Sequence, residues 1–229
     1  MKVTILTLFP EMFSGPFDES IIKRAREKGL VEIELKNIRE FGIGTHRVVD
    51  DKPYGGGVGM VMKVDVLDQA ISSVRISGLQ KAQEKVVLLD PRGEKFNQTH
   101  AKDFSKLQHL ILVCGHYEGI DERVRNLVDA TISIGDFITT GGEIPAMLIT
   151  DSVVRLIGGV LKDDATEHES FRIERNEILL EYPQYTTPQE YKGERVPDIL
   201  LSGNHKNISE WRHSESVKIT KKHRPDLLK

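Results

Sequence analysis

Three glycine-bearing loops are where this sequence first offers chemistry: Leu89-Asp90-Pro91-Arg92-Gly93, Cys114-Gly115-His116-Tyr117-Glu118-Gly119, and Ile134-Gly135-Asp136-Phe137-Ile138-Thr139-Thr140-Gly141-Gly142-Glu143. Each follows an apolar run that reads as a β-strand. In an open α/β sheet, ligands bind beyond the carboxyl ends of the strands. Glycine there lets backbone N–H and C=O groups approach a ligand closely. One such loop is common; three at one sheet edge predict a single pocket. Glu118 and Asp136 could cap their own loops or face a ligand. The separate cluster Gly55-Gly56-Gly57-Val58-Gly59 matches neither G-x-G-x-x-G nor G-x-x-x-x-G-K-[ST], and no strong strand precedes it. A dinucleotide fold, a P-loop and an ordinary Rossmann site are therefore disfavoured.

The elements that must position these loops can be read from the pattern. Val3–Leu8, Val31–Ile38, Lys85–Leu89, Leu110–Cys114 and Ala130–Ile134 read as strands. Between them, Ser20–Lys28, Asp65–Ile76, Asn97–Leu107, Asp121–Val128 and Ile144–Ile157 read as helical. Gly29 stands at a C-cap position, Asn97 at an N-cap, and Pro145 in a first turn, where proline is tolerated. Alternating strands and helices with continuous apolar strands predict a parallel sheet covered on both faces. Residues 41–63 form a long glycine-rich loop, a feature that in a compact domain is usually functional. After Gly158-Gly159 the texture changes. Lys162–Glu181 is acidic and weakly periodic and reads as a mobile linker or lid. The segment YPQYTTP then marks extended chain, and Asn204–His223 a terminal helix.

Composition narrows the class. Of 229 residues, 38% are hydrophobic and 29% charged, as in a soluble protein with an ordinary core. No apolar run approaches a membrane span, and MKVTILTLFPEMF lacks a signal-peptide layout. These features, with one cysteine and hence no internal disulfide, predict a cytoplasmic protein. Cys114, at a strand end, reads as a small buried hydrophobe. The net charge of −3 argues against nucleic-acid binding by bulk charge. Residues 203–229, however, carry seven Lys and Arg against three Asp and Glu. This basic segment could meet a phosphate backbone, although a solvated helix face is the plainer reading of charge alone.

The segments LTLFPEMF, DDKPYGGGVGMVMK, CGHYEGIDERV, SIGDFITTGGEIPAMLITDSVVR, EYPQYTTP and LLSGNHKNISEWR together resemble the bacterial tRNA (guanine-N1)-methyltransferase family, the TrmD type of the SPOUT class. The resemblance runs through essentially the whole chain, and GHYEGIDER followed by IGDFITTGGE is its most specific mark. It implies an α/β fold whose parallel sheet carries a deep trefoil knot, plus a small helical C-terminal domain. The implied domains are a knotted cofactor-binding domain at 1–160, a flexible linker or lid at 161–180, and a tRNA-binding domain at 181–229. It also implies a homodimer with the active site at the subunit interface, and methylation of N1 of guanine 37, next to the anticodon. The knot could not come from pattern, since chains as a rule do not knot.

Carried over by position, S-adenosylmethionine would lie along Leu88, Leu89 and Gly93 in the first loop and along Gly115, Tyr117, Glu118 and Gly119 in the second. In the third it would meet Ser133, Ile134, Gly135, Thr140, Gly141, Gly142 and Pro145. Leu88, Ile134 and Pro145 would give apolar walls. Glu118 and Asp136 are candidates for the methionine end. The family's arginine at guanine O6 maps to Arg155, which without the resemblance would read as a helix-end arginine. The family's base is an aspartate in a D-S-F segment; here the segment is Glu167-His168-Glu169-Ser170-Phe171, so Glu169 takes that place with one extra methylene. Glu167, His168 and Glu174 are fallback bases. Thr187 stands where the family has arginine in Y-T-R-P, removing a bidentate contact from tRNA docking. Contacts to tRNA would come from Ser202-Gly203-Asn204-His205, Trp211, Arg212, Lys218, Lys221, Lys222 and Arg224, with Trp211 equally readable as core packing. Asp50, Lys52, Tyr54 and Gly55–Gly59 would shape the pocket mouth and partner contact. Members of the family favour Mg2+, yet no dedicated ligand cluster stands out. Two rival readings stay open: another SPOUT enzyme acting on rRNA or a ribose 2′-hydroxyl, and a non-enzymatic RNA-binding module.

Overall fold

The computed structural model describes residues 1–162, 165–166, 169–174 and 177–228. They fall into two compact units, Met1–Leu161 and Lys162–Lys229.

In the first unit the elements are β1 (Lys2–Thr7), α1 (Ser20–Glu27), β2 (Glu32–Asn37), the short β3 (Asp50–Asp51) and β4 (Val61–Met62), α2 (Val64–Val74), β5 (Glu84–Lys95), α3 (Gln98–Phe104), β6 (His109–Cys114), β7 (Ala130–Ser133) and α4 (Glu143–Val154). The long strands form one parallel sheet of order β2-β1-β6-β5-β7. β6 is central, and all six of its residues are buried. That is why its sequence is apolar without alternation: a parallel strand covered on both faces has no solvent side.

Side-chain parity sorts the sheet into two cores. Val87, Leu89, Leu110, Leu112 and Cys114 pack with α1, α3 and α4 through residues such as Ile22, Phe104 and Ile149. Val86, Leu88, Ile111 and Val113 pack with α2 and the 3-10 turn Glu122–Leu127 through Leu67, Ile71 and Val124. Local chemistry fixes the boundaries. The Asn97 side chain accepts from the N–H groups of Thr99 and His100, starting α3. Gly29 follows α1 at φ +68°, where a Cβ would be strained. At the amino end of the sheet His109 is fully buried, with Nδ1 2.8 Å from Glu84 Oε2 and Nε2 2.9 Å from Thr4 Oγ1.

β5 runs longer than its apolar stretch predicts. It continues through Asp90-Pro91-Arg92-Gly93 to Lys95, with a register shift against β7 between Leu89 and Glu94. The first loop is therefore a bulge within a strand. Residues 41–63 are likewise not wholly irregular, since β3 and β4 pair antiparallel.

The second unit contains β8 (Arg172–Glu174), β9 (Glu177–Leu179), β10 (Glu190–Tyr191), β11 (Glu194–Arg195), α5 (Asp198–Leu201) and α6 (His205–His223). The Asn204 side chain caps α6 by accepting from the Asn207 N–H. Where the sequence reads as linker, β8 and β9 pair antiparallel. Leu179 of β9 is fully buried, and the Leu180 N–H donates to Thr220 Oγ1 of α6 at 2.8 Å. Strands of three residues are too short to show a period, so pattern missed them. Among the described residues no helix is long and apolar enough to cross a membrane.

Candidate active site

The loops after β5, β6 and β7 meet at the carboxyl end of the sheet and enclose a cleft of about 600 Å3 within the first unit. Most of the residues expected to hold a cofactor line it: Leu89, Gly115, Tyr117, Glu118, Gly119, Ser133, Ile134, Thr140, Gly141, Gly142 and Pro145. Leu88, Gly93 and Gly135 do not. Leu88 is 1% exposed and packs with Val86, Ile111 and Val113, so it supplies no apolar wall. Strand parity turns it away from the face that Leu89 occupies. A Cβ at Gly93 would lie 2.5 Å from Ile132 N, so this glycine allows β5 to press against β7. Gly135, at φ +151°, packs against the Phe137 ring.

The glycines permit backbone contacts that a side chain would block. The Gly142 N–H donates to Gly115 O at 2.8 Å, joining the third loop to the second. A Cβ at Gly142 would sit 2.6 Å from Cys114 Cα. Thr139 Oγ1 donates to Gly141 O, and Ser133 Oγ to Gly135 O, at 2.8 and 3.0 Å, which holds the third loop in one conformation. The 41–63 segment is strapped to the second loop, with the Glu118 N–H on Met60 O and the Met62 N–H on Gly119 O at 3.1 and 3.0 Å. Gly59 has no room for a Cβ because the Glu118 side chain occupies that space. Asp136 is exposed and ion-paired with Lys95 at 2.7 Å.

The cleft also contains charged groups that sequence reasoning passed over. Asp90, Arg92 and Glu122 line it. Arg92 reaches Asp90 Oδ2 and Glu122 Oε2, both at 2.9 Å, and Arg125 reaches the same two carboxylates at 3.1 and 2.8 Å. Burial pushes the Asp90 carboxyl up, but hydrogen bonds from Arg92 and the neighbouring guanidinium charges outweigh it and hold the group below the usual carboxylate range. Asp90 thus stays ionised and pins the first loop. The signal was present in Asp90-x-Arg92 and Glu122-x-x-Arg125, but their pairing needs the fold.

His116, which also lines the cleft, lies 4.8 Å from the Phe9 ring and 5.0 Å from the Tyr117 ring, centroid to centroid. Its Nδ1 is buried and 4.0 Å from Oε2 of Glu143, a carboxylate 1% exposed whose other oxygen accepts from Thr7 Oγ1 at 2.8 Å. Glu143 stands in the first turn of α4, where the helix dipole favours negative charge. Burial, with the nearby Glu143 charge, pushes the Cys114 thiol well up, so it stays protonated and unreactive.

The two residues expected at the target base lie in different units. Arg155 ends α4, its N–H donating to Asp151 O at 3.2 Å. Glu169 is half-buried in a turn ahead of β8. There the Glu181 N–H donates to Ser170 Oγ at 3.0 Å, and the Phe171 N–H to Leu179 O at 2.7 Å. Among the fallback bases, Glu167 and His168 lie outside the described residues, and Glu174 ends β8.

A family model described as tRNA (guanine-1)-methyltransferase TrmD matches residues 1–229. Curated relatives carrying the name tRNA (guanine-N(1)-)-methyltransferase align along the whole chain. That of Dictyoglomus turgidum is 54% identical over 229 residues, covering 100% of this chain and 90% of that protein. That of Carboxydothermus hydrogenoformans is 53% identical over 231 residues, covering 100% and 88%. That of Clostridium beijerinckii is 53% identical over 230 residues, covering 100% and 92%.

Proposed function

The chain belongs to the TrmD family of tRNA (guanine-N1)-methyltransferases, and on that premise we propose that it methylates N1 of guanine 37 in tRNA from S-adenosylmethionine. The observation that carries this reading is the cleft closed by three glycine loops at the carboxyl ends of β5, β6 and β7.

The cleft suits the methyl donor. Backbone groups of Gly115, Gly119 and Gly141 can reach the polar edges of an adenosyl group, and Leu89, Ile134 and Pro145 supply apolar surface. When bound, S-adenosylmethionine supplies a sulfonium methyl, which is electrophilic. Guanine N1 carries a proton and is a poor nucleophile until it loses it. In this reading the Glu169 carboxylate accepts that proton, and the Arg155 guanidinium donates to O6 where negative charge gathers. Among the described residues no group of three or more His, Cys, Asp and Glu is arranged to hold a metal ion.

The remaining parts of the proposal concern the whole assembly. A trefoil knot is the topology that membership of the family leads us to propose for this parallel sheet. A homodimer fits the exposed apolar residues Ile144 and Leu148, one turn apart on α4. Docking of tRNA falls to α6 and the Ser202–His205 turn before it, including Trp211, Arg212, Lys218, Lys221 and Lys222. Arg224 is ion-paired with Asp226 at 2.7 Å. The test is transfer from radiolabelled S-adenosylmethionine to transcripts with guanine or adenosine at position 37. Label on the guanine transcript alone supports the reading; label on both, or on neither, overturns it.

A further inference from the structure

The second unit holds a concavity of about 380 Å3 that the methyl transfer does not use. Leu200 and Ile208 give it apolar lining, beside the rings of Tyr185 and Trp211. The two rings are 6.4 Å apart between centroids and tilted by 52°, and Tyr185 is 48% exposed. Gln184 and Gln189 also line the concavity, and the Gln184 side-chain amide donates to Glu181 Oε1 at 2.6 Å, which leaves its carbonyl oxygen and second N–H. Arg212 is fixed over the Tyr182 ring, 4.8 Å from its centroid.

Size, surface and charge point to one kind of occupant. The volume lies at the small-ligand end of the range for binding pockets and admits a flat heterocycle. An exposed Tyr185 ring beside Trp211 suits stacking, and amides suit a ring edge with both donors and acceptors. The adjoining α6 carries five Lys and Arg against two Glu, which favours a polyanion. A hydrogen-bonding heterocycle carried on a polyanion is a nucleobase in RNA.

We propose that this concavity takes one unstacked base of the substrate tRNA, distinct from the methylated guanine, stacked on Tyr185 and Trp211 and read at its edge by Gln184 and Gln189. The proposal rests on the tRNA reading above. The methylated guanine has to meet the donor in the first unit's cleft, and none of that cleft's loops contributes to this concavity.

Trp211 is the one tryptophan of the chain, so its emission reports on the site. Titration of tRNA into the full-length protein should quench that emission to saturation. A tRNA with adenosine in place of the target guanine should quench it equally. Tyr185→Ala should weaken tRNA binding by about five- to a hundredfold, the loss expected for one base–aromatic stack. Tyr185→Phe should bind as wild type does, and both variants should keep the wild-type circular dichroism. Emission unmoved while tRNA binds and is methylated, or Tyr185→Ala binding with wild-type affinity, overturns the proposal. Emission that follows protein concentration and ignores tRNA puts a second copy of the chain in the concavity, and overturns it too. A protein that neither binds nor methylates any tRNA refutes the functional reading itself, and this inference with it.

Discussion

A carboxylate that removes a ring proton acts on the chemical step alone, and the base role proposed for Glu169 is separable on that ground from the cofactor role proposed for the cleft. Glu169→Gln should leave S-adenosylmethionine affinity near wild type by calorimetry while slowing single-turnover methyl transfer by about 10²–10⁴-fold, the usual worth of a positioned base. Unchanged single-turnover rates would remove Glu169 from that role. Gly141 tests the cleft from the opposite side. A Cβ there would lie 2.4 Å from Glu143 Oε2 and 2.7 Å from His116 Nδ1. Gly141→Ala should therefore weaken S-adenosylmethionine binding about five- to a hundredfold, as overpacking of a tight site does; unaltered affinity would mean the loop does not touch the cofactor. At this scale the close backbone packing at Gly93 and Gly142 was legible, because it is a property of the residue type. Leu88 was not, because carrying a residue over by position ignores strand parity, which sends Leu88 into one core and Leu89 into the other. His116 and Asp90 were visible as residues but not as partners, since Glu143 and Arg125 reach them only in the folded chain.

The sheet depends on polar groups at its amino end as well as on its apolar faces. Glu84 is 5% exposed; burial pushes its carboxyl up. Donation from the Ile76 N–H at 2.8 Å, the His109 ring at 2.8 Å and Arg75 at 3.2 Å outweighs burial and holds it below the ordinary glutamate range. A carboxylate lowered in the folded state contributes stability that is fully present above the unfolded pKa and is lost as pH falls through the folded one. Wild type should accordingly lose melting temperature on acidification below the ordinary glutamate range. Glu84→Gln should cost roughly 3–5 kcal/mol at neutral pH by leaving the pair broken, and its acid decline should be shallower. Parallel acid profiles for the two proteins would count against this account. The elements best read from sequence were those with a chemical boundary: α3 and α6 each begin at an asparagine that caps them. The pair β8 and β9 had no such marker, and the acidic composition around it looked like solvated chain.

Across the whole molecule, association and charge carry the predictions. Ile144 and Leu148 are 51% and 44% exposed on α4. If a second copy covers them, Leu148→Glu should shift the protein from dimer to monomer in sedimentation and abolish methyl transfer; a dimer that survives this change uses another face. Replacing Lys221 and Lys222 with glutamine should weaken tRNA binding and flatten the logarithmic salt slope by roughly one to two units. An unchanged slope would return α6 to an ordinary solvated helix. At this scale pattern and composition say least, because chain topology and association depend on how segments meet rather than on any one segment. The most direct measurement is the identity of the methylated nucleoside. After incubation of tRNA with the protein and S-adenosylmethionine, complete digestion and mass spectrometry should yield 1-methylguanosine; a 2′-O-methylated nucleoside, or no methylated product, would contradict the account.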